Sequence, residues 1–386
     1  MIKMAYIQFQ LKKVVKSNIS VITICLLLLI SFIVLGLNAS ASKNNSFQSQ
    51  AKDNLIMQND AIKQMSNSLK HYKRNGEAYN LTQKSIQDTK KQRQDTLKLL
   101  QAFKISDWRT IYSYQLKAAS LAKNIQEKNN SVNNDEKRAL TKNVKFFEYL
   151  KRHPLPYEEN PPVTGIQFLL NLNQMYLPFL FILVITFILT QLYTSKYKNK
   201  TDISSLLPIT SNKKYALDSF VGISTTAIIF YSINLIVFIV AAGIFKIGSL
   251  AYPFYLYRNL QAATLNQYVP TSQVIVPIAI LQILVGIFIV TFIQLISNLI
   301  REKFPSLFIC LLLLIGLSLA TTVIVPFQKA AAWLPTTYFN VIGIISGEVS
   351  VQYHNIQVNY ITGILTLTTW IVIIYIVGLL ISKMKR

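Results

Sequence analysis

The residues that could carry out chemistry are few and far apart in the sequence. The histidines and cysteines share no ligand spacing, and they are His71, His153, His354, Cys25 and Cys310. They therefore predict neither a metal site nor a disulfide framework. The sequence also lacks a glycine-rich phosphate loop, paired histidines on one helix face and a Gly-x-Ser-x-Gly turn. We expect no catalytic residues, no metal and no cofactor in this chain.

The remaining polar candidates are amides inside long apolar runs, namely Asn234, Gln282, Gln294 and Asn298. These runs contain no Asp, Glu, Lys, Arg or His. A transporter driven by protons or ions normally needs such a group within the membrane. We therefore interpret the four amides as candidates for lining a substrate path, and we expect any energy to come from another subunit.

The apolar runs that hold these amides indicate a membrane protein. Of the 386 residues, 52% are hydrophobic and 14% are charged, against about 25% charged in globular proteins. A hydrocarbon core about 30 Å thick needs roughly 20 apolar helical residues. Six charge-free runs of this kind cover residues 19–37, 174–194, 219–245, 274–300, 305–325 and 356–381. The predicted fold class is an all-α membrane protein with six transmembrane helices.

The distribution of Lys and Arg predicts the orientation. With both termini in the cytoplasm, the inner segments carry 14 basic residues and the two short outer loops carry 3. Basic residues favour the cytoplasmic side of short loops. We therefore expect a multi-pass protein of the plasma membrane with the segment between the first two spans outside. Ala39-Ser40-Ala41 resembles a signal-peptide cleavage site, but the preceding apolar run is too long for a usual signal, which favours an uncleaved anchor.

The long segment between the first two spans is predicted to be helical. Residues 43–159 carry 22 basic and 12 acidic residues, and between Lys43 and His153 there is one glycine and no proline. Apolar stripes and N-cap signals predict four helices, at 48–74, 81–104, 107–129 and 135–152. One stripe contains Ile111, Tyr114, Ala118, Leu121 and Ile125. We expect these stripes to pack helix against helix.

The loop after the second span contains an apolar Ile-Ser-Ser-Leu-Leu-Pro between lysines. Thr201 or Asp202 can cap a short helix that Pro208 ends. Such a helix would expose three apolar side chains, those of Ile203, Leu206 and Leu207. The alternative is a lysine-rich loop held at the lipid headgroups. We expect Lys196 and Lys198 to be exposed, so that their replacement by Ala has little effect.

This loop resembles that of the ABC-2 type permeases of bacterial ABC exporters. That family has a Ser-Glu-Tyr-Glu-x-Gly-Thr pattern, a leucine-rich turn and a Pro-Ile/Val-Ser step. The matching residues here are Ser195, Tyr197, Thr201, Leu206, Leu207, Pro208, Ile209 and Ser211, whereas Lys196, Lys198 and Lys200 replace the glutamates and the glycine. The resemblance implies that Thr201, Asp202, Ile203, Leu206, Leu207 and Pro208 form a coupling helix that docks on an ATPase.

The resemblance extends to the layout of the whole chain. It implies an amphipathic connecting helix at 1–18, with Met4, Ile7, Leu11 and Val14 on one face, and an outer re-entrant hairpin at 326–355 before the last span. The other predicted boundaries are an extracellular helical domain and linker at 38–173, a cytoplasmic loop with the coupling helix at 195–218, an extracellular loop at 246–273, a cytoplasmic turn at 301–304 and a cytoplasmic tail at 382–386.

The resemblance also implies a function and a set of partners. The chain is expected to be the non-catalytic permease subunit of an exporter, with ATP and Mg²⁺ bound by a separate ABC ATPase dimer. A second permease copy or a related permease and membrane lipid would be its other partners, with no nucleic acid. The expected cargo is a lipid-like amphiphile or a peptide such as a bacteriocin, as in Gram-positive bacteria. The alternatives are a membrane sensor or scaffold whose outer helices bind a ligand, and a membrane enzyme, which the lack of an acid, base or metal set disfavours.

Overall fold

The computed structural model describes residues 2–44, 46–72, 76–128, 134–198, 201–202, 208–258 and 265–384. The chain divides into two compact units. The first combines Met1–Leu35 with Thr164–Arg386, and the second is Gly36–Val163. The first unit holds almost all of the long apolar helices, and we call it the membrane unit.

The membrane unit is almost entirely helical. Its longer helices are α1 (Ile2–Lys16), α2 (Asn18–Asn44, which continues into the second unit), α7 (Gly165–Met175), α8 (Leu177–Thr194), α9 (Ser211–Phe245), α10 (Ser272–Ile300), α11 (Lys303–Leu311) and α16 (Tyr360–Met384). Its shorter helices are α12 (Leu317–Val323), α13 (Val325–Ala330), α14 (Val341–Ser346) and α15 (Glu348–Gln352). A π-helical turn at Leu312–Gly316 joins α11 to α12.

Two short antiparallel hairpins are the strand structure of the described residues. In the first, β1 (Tyr197–Lys198) pairs with β2 (Thr201–Asp202), so that Tyr197 lies opposite Asp202. In the second, β3 (Pro253–Leu256) pairs with β4 (Gln267–Pro270).

Among the described residues, six helical stretches are long and apolar enough to cross a membrane, as the sequence predicts. They lie within Asn18–Leu69, which includes α2 and the helix that follows it, and within Leu177–Thr194, Ser211–Phe245, Ser272–Ile300, Lys303–Val323 and Tyr360–Lys383. The third segment begins about two turns before the predicted span. Its extra turns include Asp218, which the apolar run alone does not reach. The chain is thus a helical multi-pass membrane protein by the length and composition of its helices.

Helix α10 is central to the membrane unit, where it packs against α8, α9 and α16. Its side chains Leu281 and Ile293 have no exposed surface. The segment predicted as a hairpin is a chain of short helices, in which a 3-10 turn at Pro335–Phe339 is buried against α10 and α16. Ala332 O accepts hydrogen bonds of 2.8 Å each from the hydroxyl of Tyr338, which belongs to this turn, and from that of Thr366 on α16.

Two glycines allow tyrosines to pack against helix backbones. A Cβ at Gly222 of α9 would lie 1.8 Å from the Tyr193 hydroxyl and 2.8 Å from Val290. A Cβ at Gly378 of α16 would lie 2.0 Å from the Tyr215 hydroxyl. The close approach of α8, α9 and α10 therefore depends on the missing side chain at Gly222.

We expect Gly222→Ala to destabilise the protein by about 1–3 kcal/mol, because inserting atoms into a packed core forces neighbours to move. Thermal unfolding of the detergent-solubilised chain measures the change. Gly243→Ala in the same helix is the matched control, since a Cβ there meets no atom within 4 Å. Equal unfolding temperatures for the two variants would contradict this packing.

Within the described residues, the second unit contains the end of α2 and four helices close to the predicted positions, α3 (Phe47–Leu69), α4 (Glu77–Lys104), α5 (Trp108–Lys128) and α6 (Asn134–Arg152). Helix α3 packs against α4, and α5 packs against α6. An aromatic cluster fills its interior and includes Phe47, Phe103, Trp108, Tyr112, Phe146, Phe147 and Tyr157. Tyr112 is fully buried and donates a hydrogen bond of 2.5 Å to Leu155 O.

The predicted stripe on α5 is buried along only part of its length. Ile111 has no exposed surface, whereas Leu121 is 59% exposed and Ile125 is 51% exposed. The expectation that this whole stripe packs against another helix is therefore wrong for its C-terminal half. Periodicity places side chains on one helix face but does not determine how far a neighbouring helix covers that face.

Candidate functional site: a buried polar network beside the loop after the second span

A buried ion pair is the main feature at the end of the second span. Lys196 Nζ lies 2.8 Å from Asp218 Oδ2, and the two side chains are 8% and 5% exposed. Lys196 follows α8, and Asp218 lies about two turns into α9. The expectation that Lys196 is exposed is wrong, because this lysine turns inward to a carboxylate of the next span.

Helix α1 is joined to the same carboxylate. The Tyr6 hydroxyl donates to Asp218 Oδ1 at 2.5 Å, and Gln10 Nε2 donates to the Tyr6 hydroxyl at 3.0 Å. Tyr6 and Gln10 are each 6% exposed. Asp218 therefore accepts from two separate parts of the chain, which fixes α1 and the start of the loop to the same turn of α9.

Further contacts hold α1 against the end of α8. Lys13 Nζ donates to Ser195 Oγ at 3.2 Å, and Gln191 Nε2 donates to Ser17 Oγ at 3.0 Å. Ile7, Leu11 and Val14 pack on the apolar core, whereas Met4 is exposed. The predicted apolar face is thus present except at Met4, and the buried side of α1 also carries the polar Tyr6 and Gln10.

The protonation states follow from this packing. Burial lowers the pKa of Lys196, but the Asp218 carboxylate and Tyr197 outweigh burial and leave that pKa above its ordinary value. Burial, with the charge of Asp218, raises the pKa of Tyr6 far above its ordinary value. Tyr6 is therefore a neutral hydrogen-bond donor and Lys196 a cation in this network.

The other end of the loop is also attached to α9. Lys214 Nζ contacts Asp202 Oδ2 at 2.6 Å, and Thr201 and Asp202 belong to the β1–β2 hairpin. The Tyr197 hydroxyl donates to Asn298 Oδ1 of α10 at 2.9 Å. Thr201 and Asp202 thus pair as strand residues, and the helix that they are predicted to cap falls on residues outside the described part of the chain. Ile203, Leu206 and Leu207, and with them the predicted coupling helix, lie outside the described residues, and Pro208 follows in a bend.

Two of the four amides predicted to line a substrate path, Gln294 and Asn298, lie close to this loop. Gln294 has no exposed surface, accepts from Ser219 Oγ at 2.6 Å and donates to Tyr215 O at 2.9 Å. Asn298 is the partner of Tyr197. Both amides hold α10 against neighbouring segments, so the structure assigns them contacts within the protein.

The other two amides meet at a different level of the unit. Asn173 Nδ2 donates to Asn234 Oδ1 at 2.7 Å, and Gln282 Nε2 donates to Asn173 Oδ1 at 3.3 Å. Asn234 lies 16 residues beyond Asp218 on α9, which is about 24 Å along a helix. The four predicted path residues therefore lie in two separate places. Asn234 and Gln282 meet at Asn173, whereas Gln294 and Asn298 lie near the loop after the second span.

A polar cavity of about 370 Å³ adjoins the ion pair. Basic and acidic side chains both line it, namely Lys196, Lys214, Arg301, Asp202 and Asp218. Among the described residues, no group of three or more His, Cys, Asp or Glu side chains could hold a metal ion. The chemistry that this arrangement supports is charge pairing between segments.

Sequence reasoning missed Tyr6, Gln10 and Asp218 as members of one network. A lone carboxylate directly before an apolar run, with lysines in the preceding loop, was the available signal for Asp218. The four-residue spacing of Tyr6 and Gln10 places both on one helix face. Their partner lies 212 residues away from Tyr6, and a single sequence does not reveal such a pairing.

No protein-family model matches the chain, and no curated protein or solved structure matches it either.

Proposed function

We propose that this chain is the permease subunit of an ATP-driven exporter, with ATP hydrolysed by a separate ABC ATPase dimer. The observation that carries the proposal is the attachment of the loop after the second span at both of its ends. Lys196 and Asp218 fix one end, and Asp202 and Lys214 fix the other. A loop held in this way transmits its own displacement to α9, and through Tyr6 to α1.

The sequence of the loop supports the same proposal. Ser195, Tyr197, Thr201 and Pro208 match the ABC-2 pattern, and six apolar segments provide the membrane part. In the proposed exporter two permease chains form a path between their helices, and closure of the ATPase dimer shifts the coupling loops. A peptide or a lipid-like amphiphile is the proposed cargo.

Co-expression with an ABC ATPase tests this function. We expect the ATPase to co-purify with the chain and to hydrolyse ATP faster in its presence, while the chain alone hydrolyses none. Hydrolysis by the pure chain would contradict the assignment of ATP to a partner.

The proposed orientation places both termini in the cytoplasm of a plasma-membrane protein. In a background without Cys25 and Cys310, we expect Asn80→Cys to react with an impermeant maleimide on intact cells and Glu302→Cys to react only after permeabilisation. Both positions are exposed, so burial does not decide the result. The reverse pattern would refute the orientation.

A membrane sensor or scaffold is the second candidate, and one observation favours it. Leu121 and Ile125 are exposed apolar side chains on α5 of the second unit, as on a surface that binds a partner. If the chain is a sensor or scaffold, the double variant Leu121→Ser with Ile125→Ser should lose binding of that partner, and no ABC ATPase should co-purify with the native chain. Co-purification of an ABC ATPase with the native chain would favour the exporter.

A further inference from the structure

An apolar cavity lies between α8, α9 and α10 in the membrane unit, away from the ion pair. Its volume is about 100 Å³, several times the roughly 10–15 Å³ that a single water molecule needs. Its walls are aliphatic and aromatic, with contributions from Leu177, Phe181, Ile182, Ile223, Phe230 and Val285. None of the described residues that line it carries a formal charge. A charged ligand would therefore lose its hydration without gaining a partner.

The cavity has a polar end, formed by Asn173 and Gln282. Both donor positions of Asn173 are used, by Leu169 O and by Asn234 Oδ1, and its oxygen accepts from Gln282. Gln282 makes only that one hydrogen bond within the described part of the chain, so its carbonyl oxygen and second N–H are available. One side chain thus offers both an acceptor and a donor to a bound molecule.

A second lining residue has unused hydrogen-bonding capacity. Thr226 of α9 is 4% exposed, and its hydroxyl has no hydrogen-bond partner among the described residues. Leaving such a group unpaired in an apolar region is costly. Buried hydroxyls elsewhere in the described residues, such as those of Thr225 and Ser297, are also unpaired, so the free donor and acceptor of Gln282 carry the argument for a ligand with hydrogen-bonding groups.

The cavity opens on the side of the helical bundle. Tyr231 of α9 and Ile283 of α10 both line it and are 47% and 49% exposed. Both lie within helices that are long and apolar enough to cross a membrane, which favours an opening toward the hydrocarbon region of the bilayer. A molecule dissolved in the membrane therefore reaches the cavity without passing through water.

We infer that this cavity binds the hydrocarbon chain of an uncharged amphiphile whose hydroxyl or amide headgroup hydrogen-bonds to Gln282. The apolar walls suit the chain, the free donor and acceptor suit the headgroup, and the absence of charge among the described lining residues selects a neutral molecule. The inference that this molecule is the transported cargo rests on the proposed exporter function. The inference that the cavity binds it rests on the cavity alone.

Photolabelling of the full-length purified chain tests this site, and it needs no ATPase. The probe is a monoacylglycerol with a diazirine in its acyl chain, and the comparison probe is an alkane with the same diazirine. We expect the monoacylglycerol to label peptides that contain Phe230, Tyr231 or Ile283. Labelling spread evenly over all lipid-facing helices of the native chain would overturn the proposal, whatever the variants do.

Two variants distinguish binding of the ligand's hydrocarbon chain from binding of its headgroup. A side chain at Gly286 would enter the cavity, since its Cβ meets only Thr226 Cγ2, at 3.8 Å. We expect Gly286→Leu to reduce labelling by both probes about tenfold, whereas Gly243→Leu, outside the cavity, leaves it unchanged. We expect Gln282→Leu to reduce labelling by the monoacylglycerol about three- to tenfold and to spare the alkane.

The outcomes are distinguishable from those of the exporter test. Unchanged labelling in Gly286→Leu overturns the cavity site, and equal loss of both probes in Gln282→Leu overturns headgroup recognition. Stronger labelling by a fatty acid carboxylate probe would contradict a neutral ligand. If the cavity peptides are labelled specifically but no ATPase associates with the chain, the binding site is supported and the exporter function is refuted. If an ATPase associates but labelling is not specific, the exporter function is supported and the binding site is refuted.

Discussion

Asp218→Asn is expected to destabilise the protein by about 3–5 kcal/mol, because it leaves the ammonium of Lys196 buried without a counter-charge. Both side chains are nearly inaccessible, so solvent does not compensate the loss. The asparagine side chain of the variant keeps an oxygen that can accept the hydrogen bond of the Tyr6 hydroxyl. The loss of stability therefore measures the effect of removing the negative charge. Thermal and denaturant unfolding of the solubilised protein measure the change.

Two further variants make this measurement specific. Lys196→Met in the Asp218→Asn background should recover most of the lost stability, since no unpaired charge remains. Asp135→Asn is the control in an exposed ion pair, where Arg138 and Asp135 are 31% and 81% exposed, and we expect a loss of about 1 kcal/mol or less. Additive losses in the double variant would contradict a coupled buried pair.

Leu207→Asp is expected to abolish transport and partner-stimulated ATP hydrolysis together. Seating a large apolar side chain in a partner contributes about 1.5–3 kcal/mol, and the substitution also places an unpaired charge there. Expression in the membrane should stay normal, because the loop lies outside the apolar spans. Lys198→Ala in the same loop is the control, with little expected change.

The amount of ATPase that co-purifies with each variant is the measurement. If Leu207→Asp retains full association and full stimulated hydrolysis, this loop does not couple to an ATPase. The alternative of a loop held at the lipid headgroups would then explain its lysines.

The spans could be predicted from the sequence because their cause is local. A run of about 20 apolar residues forms a helix in a membrane whatever its neighbours are. The helical character of the second unit is equally local, since helix formers and N-caps determine it. The start of α9 was less predictable, because Lys213, Lys214 and Asp218 interrupt the apolar run while the helix continues through them.

The polar network could not be predicted because its contacts join distant segments. The sequence places Lys196 in a lysine-rich loop, where exposure is the ordinary expectation. Only the packing of α1 and α9 against the end of α8 brings Asp218 and Tyr6 to it. The path amides show the same limit, since Asn234 and Gln282 share the partner Asn173 whereas Gln294 and Asn298 lie elsewhere.

Photocrosslinking from position 207 tests the exporter assignment most directly. A benzoylphenylalanine in place of Leu207 is activated in membranes from cells that express the full chain, and the products are probed with 8-azido-ATP. The exporter account predicts a crosslinked protein that carries the azido-ATP label, and loss of this product when position 203 is changed to Asp. Crosslinks only to lipid, or to a protein that does not bind ATP, would contradict it.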